Sequence, residues 1–124
     1  MADQRILLAW ARRVTLLAAL AGVFYAVSRF EILEMPSDRC SPLLALAPGT
    51  TLVVDLRPGA CKSGDVVFHE GDAGELWIGR IDEVRDEGFW IVTDDDTCPV
   101  PDSELLGPVR SKRLRGRVVL SASW

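Results

Sequence analysis

The sequence predicts a mainly β fold, a small antiparallel sheet or open barrel, preceded by one N-terminal apolar helix. Two observations carry this. Five strand-length runs rich in Val, Ile, Leu and aromatic residues follow one another after residue 50, separated by glycine-bearing turns. Hydrophobic residues make up 48% of the chain, and the excess is concentrated in the first thirty residues. At 124 residues there is room for one compact domain beside a membrane segment.

The helix comes first. Val14 to Val27 form an unbroken apolar or weakly polar run, preceded by Arg12 and Arg13 and by a shorter apolar stretch from Ile6 to Ala11. Crossing a hydrocarbon core takes about 20 apolar residues. The segment therefore spans if it begins near Ile6, with Arg12 and Arg13 snorkelling to the interface and Leu7, Leu8 and Trp10 at headgroup depth. The rival reading is a signal peptide cleaved after Ser28, where Ala26 and Ser28 are small residues at the required spacing. In both readings the N-terminus is cytoplasmic and the remainder extracytoplasmic, because Arg5, Arg12 and Arg13 outnumber the single Arg29 on the far flank. The expected organisation is 1–13 cytoplasmic or interfacial, 14–28 a single-pass anchor in the cell membrane, 29–50 connector and 51–124 β-domain.

From Phe30 to Pro48 little periodicity is visible, and Pro36, Pro42 and Pro48 each bias the preceding residue away from helix, which reads as extended connector and loop. The strands are Thr51 to Leu56, Asp65 to Glu70, Glu75 to Val84, Gly88 to Thr93 and Arg115 to Ala122. Pro-Gly, Ser-Gly, Gly-Asp-Ala-Gly and Asp-Glu-Gly between them supply the backbone geometry of turns. A hairpin turning about Asp72-Ala73 sets Glu70 opposite Glu75, His69 opposite Leu76 and Val66 opposite Gly79. His69 then points away from the Gly79 face.

A net charge of -4 argues against nucleic-acid partners. Glycine-rich phosphate loops and Cys/His metal spacings are absent from the sequence, so no cofactor is expected. Asp94, Asp95 and Asp96 read as a turn or as calcium ligands. The five cations of Arg110 to Arg117 suit either anionic headgroups or a solvated edge strand. Of the three cysteines, Cys61 and Cys98 sit at loop ends and are the expected pair, leaving Cys40 beside Ser41. Trp77, Phe89 and Trp90 read as core or interface aromatics.

Several short motifs occur in order. Ser41 precedes Pro48-Gly49 and the run Leu52-Val53-Val54; Ser63-Gly64-Asp65-Val66-Val67-Phe68 follows, then Leu76-Trp77-Ile78-Gly79-Arg80-Ile81. Thr93-Asp94-Asp95, Pro101 to Val109 and Arg115-Gly116-Arg117-Val118 complete the series. From about Arg39 to Val119 this order resembles the type I signal peptidases, whose nucleophilic serine precedes a Val-rich strand and whose later strand carries Lys-Arg-Val or His-Arg-Val. Pro42 stands where methionine is usual, Leu44 where proline is, and Thr50 where aspartate is.

The resemblance implies a serine endopeptidase that cuts signal peptides after small residues at a membrane surface. Ser41 would be the nucleophile, Arg39 would occupy the oxyanion-side position, and Asp94 and Asp102 would be supporting carboxylates. The base position falls on Gly79. A serine hydroxyl needs a neighbouring group to take its proton, and loss of such a group typically costs roughly 10⁴-fold or more in rate, so Gly79 implies impaired catalysis. His69, Lys62, a cysteine nucleophile at Cys40 and a base from a partner subunit are the remaining catalytic options. The alternatives are a non-catalytic membrane-tethered module that binds an extended peptide by strand addition, or a secreted small β-protein. The expected partners are membrane lipid and a signal peptide or other extended peptide.

Overall fold

The computed structural model describes residues 2–36, 40–98 and 100–122, in two compact units that meet at Phe30 and Glu31. The first is the helix α1, Ala2–Arg29, about 42 Å long at 1.5 Å per residue. Between Asp3 and Arg29 it is long and apolar enough to cross a membrane, a property that signal sequences share. Its hydroxyls are satisfied within the helix. Thr15 Oγ1 donates to the Ala11 carbonyl at 2.8 Å and Ser28 Oγ to that of Tyr25 at 2.9 Å, which removes polar groups an apolar solvent would penalise.

The second unit is a sheet of strands β1 (Phe30–Glu34), β2 (Thr51–Asp55), β3 (Val66–Glu70), β4 (Leu76–Arg85), β5 (Gly88–Val92) and β6 (Leu114–Ala122). Their spatial order is β1-β2-β6-β3-β4-β5. The pairings β2·β6, β6·β3, β3·β4 and β4·β5 are antiparallel. All five expected strands agree to within one residue at each end. Phe30–Glu34, expected to be connector, is instead a strand.

Period-two alternation gives the sheet two apolar faces. On one, Leu52, Val54 and Ile78 are buried beneath Met35, Leu43 and Leu46 of the segment leading into β2. On the other, Val67, Ile81 and Ile91 pack with Val109, from the chain between β5 and β6. That second cover contains the short helix α2, Ser103–Leu106, capped by Asp102, whose carboxylate accepts the Glu104 amide. Val109 also exchanges two backbone hydrogen bonds of 2.8 Å with Phe89.

The β3–β4 register differs by one residue from that expected. Val67 opposes Gly79 and His69 opposes Trp77. Gly74, at φ 82°, adds a left-handed residue after the turn, making a three-residue loop where Asp72-Ala73 alone was expected. Because opposed residues share a face, His69 moves to the Gly79 side and is 1% exposed, a core residue and not a surface one. The basic run is corrected too: Arg115 and Arg117 lie in β6, and at Arg117 that strand pairs with both Asp55 of β2 and Val67 of β3, so the run is not on a sheet edge. Acidic neighbours match those charges, with Glu70 bonded by Arg115, and Asp65 3.7 Å from Arg117.

Candidate functional site

Ser41 sits at the start of the loop that covers the first face. It is nearly buried, and its hydroxyl is committed locally: Oγ donates to the Leu43 carbonyl at 2.9 Å and accepts from the Leu43 amide at 3.3 Å. Arg39, the expected oxyanion-side position, lies outside the described residues.

The loop is tied to the chain beyond β5. The Pro42 carbonyl accepts the Asp94 amide at 2.8 Å and the Asp95 amide at 3.1 Å, and Asp94 Oδ2 accepts the Leu44 amide at 3.2 Å. Cys40 and Cys98 form a disulfide with Cα atoms 5.7 Å apart. This corrects the expected Cys61–Cys98 pair, and the reason is geometric. The bonds to Pro42 bring the 94–98 turn alongside Cys40, while Cys61 is a free thiol packed against the other core. Burial pushes the Cys61 thiol up from its usual pKa.

Asp94 is the hub of this region. Arg80 grips it with Nη1 on Oδ1 at 2.5 Å and Nη2 on Oδ2 at 2.6 Å. These hydrogen bonds hold the Asp94 carboxyl below its usual range and raise the Arg80 pKa. Asp95 accepts the Thr97 amide and hydroxyl at 2.9 and 2.6 Å, so the three aspartates begin a turn. Asp94 therefore supports the Ser41 loop, whereas Asp102 serves as the cap of α2 on the far face. Lys62 is exposed in its turn.

Gly79 is not brought to Ser41. Its neighbours Ile78 and Arg80 point to the Ser41 side of the sheet, so a side chain at 79 would point to the opposite face. There it would meet Ile91 Cγ2 at 2.3 Å and the Val92 carbonyl oxygen at 3.2 Å. The glycine is thus a packing requirement of the second core. His69 shares that face, buried with both ring nitrogens unpartnered, and desolvation lowers its pKa.

Two features escaped the sequence reading. Ser103, 1% exposed, accepts the Ile91 amide at 2.7 Å and so covers the outer edge of β5; the Asp102 cap just before it was the available signal. The other is a groove of about 460 Å³ where β3 and β6 part. The β3·β6 ladder ends at Val67–Arg117, while β2·β6 continues to Thr51–Ala122, leaving residues 118–122 of β6 paired on the β2 side only. Leu43 and Leu46 from the Ser41 loop, Val66, Val118, Leu120 and Arg80 line the groove.

No protein-family model matches the chain, and comparison with curated proteins gave no match.

Proposed function

We propose that this chain is a membrane-tethered, signal-peptidase-like module that binds an extended peptide, such as the signal peptide of an exported protein, without cutting it. The observation that carries the reading is the open edge of β6 beside the Ser41 loop. A peptide strand laid there gains backbone hydrogen bonds, and the groove, apolar at Leu43, Leu46, Val66 and Leu120 and polar at Asp65 and Arg80, offers a place for alternate side chains. The β5 edge is less suited to this, since Ser103 and Val109 already occupy backbone groups along it.

Absence of cutting is supported by two findings. The Ser41 hydroxyl is held by the Leu43 carbonyl. The position that resembles the general base faces away from it and is filled by Ile91. Membrane anchorage is supported by α1, and an extracytoplasmic domain by the Cys40–Cys98 bond, since disulfides persist in oxidising compartments.

The test is to incubate the detergent-purified chain, and a Ser41→Ala variant, with a preprotein carrying an Ala-x-Ala cleavage site. Both forms should retain the uncut preprotein equally, and Leu120→Asp should release it. Mature product made by the wild type and lost in Ser41→Ala would show a working peptidase and overturn the proposal.

A further inference from the structure

On the face away from the groove lies a separate cavity of about 240 Å³, between the β3–β4 turn and the chain entering β6. His69 forms part of its wall, with neither Nδ1 nor Nε2 bonded and both shielded from solvent. A buried donor left unmade costs roughly 1–3 kcal/mol, so a histidine kept in this state is an unmet demand for a ligand atom. The cavity also has an apolar side, Leu106, Pro108 and Val109.

The charge around it is unbalanced. Its acids are engaged: Asp72 accepts from Arg113 at 2.6 Å, and Glu70 is bonded by Arg115. Arg110 and Lys112 also line it, and among the described residues neither has a hydrogen bond or ion pair from its side chain. Two uncommitted cations therefore share one small cavity with the unpartnered His69, in a chain of net charge -4.

We propose that this cavity is an oxyanion site that takes a phosphate group, either free or carried by an anionic lipid headgroup. A tetrahedral phosphate has enough oxygens to pair with Arg110 and Lys112 at once and to accept from His69 when the cavity wall shifts to uncover its ring, and charge-assisted bonds of this kind are the stronger ones.

His69 is the only histidine, so its ring signals in a spectrum of the untagged full chain are unambiguous. In maltoside micelles, added inorganic phosphate should move those signals saturably, beyond a chloride control of equal ionic strength. The double variant Arg110→Gln/Lys112→Gln, which leaves the core intact, should weaken the response by about tenfold or more. Doping the micelles with phosphatidylglycerol, against diacylglycerol as control, separates the sources. A shift with phosphatidylglycerol identifies a lipid headgroup, and a shift with inorganic phosphate alone identifies a free phosphate. Signals that do not move in either arm, or that move equally in the double variant, overturn the proposal.

Discussion

Arg80 and Asp94 meet through two parallel hydrogen bonds, and the same carboxylate takes the Leu44 amide, so one strand side chain fixes the position of the Ser41 loop. The pair is partly exposed, with side chains 32% and 19% accessible, which tempers its energy.

Asp94→Asn should lower stability by about 1–2 kcal/mol in urea unfolding, with faster hydrogen exchange at Leu44. Because the folded carboxyl is held below its usual value near 3.8, its stabilisation is complete above that value. It is lost as pH falls through the lower folded value. Asp94→Asn should remove this part of the acid transition.

Gly79→Ala should cost about 1–3 kcal/mol, since the new Cβ overpacks against Ile91 Cγ2. Adding Ile91→Ala should make the double variant more stable than the sum of the single effects, as a double-mutant cycle would measure. Gly79→Lys should yield no preprotein cleavage, because the amine would enter the wrong face.

Replacing Cys40 and Cys98 by serine should destabilise the domain by about 2–4 kcal/mol, since the bond closes a loop of sequence separation 58. Peptide mapping without reductant should recover Cys40 joined to Cys98 and only Cys61 open to alkylation.

His69 carries the opposite sign from a paired histidine. Desolvation lowers its folded pKa, so as pH falls through about 6.5 the unfolded chain takes up a proton that the folded chain refuses. In phosphate-free buffer, Tm should decline from pH 7 to pH 5, and the fall should be shallower in His69→Leu. Glu70, Asp72, Arg110, Lys112 and Arg113 are the other charged groups around the same cavity.

Strand runs such as Asp65 to Glu70 were legible because β-branched residues and glycine turns mark them locally. Register was less so. Gly74 adds one residue to a turn, and that single residue carried His69 from the surface into the core. Phe30–Glu34 was obscured because its alternation is weak and its faces are mostly exposed. Of the candidate site, Ser41 and Asp94 were found on adjoining segments, but their link runs through Pro42, Leu44 and Cys40, contacts that no local pattern announces. Gly79 illustrates the limit: a motif aligns a position along the chain, while the pleat decides which side of the sheet it serves.

The strand order has a consequence for synthesis. β6 is the last of the six strands in the chain, yet it lies between β2 and β3. The β3–β4–β5 meander can pair as it emerges, whereas β1 and β2 have no bond to it until β6 arrives. Until β6 appears the two sets of strands cannot join into one sheet and are linked only through the Ser41 loop and the 94–98 turn, so that interval is when the nascent domain is most open to proteases and chaperones.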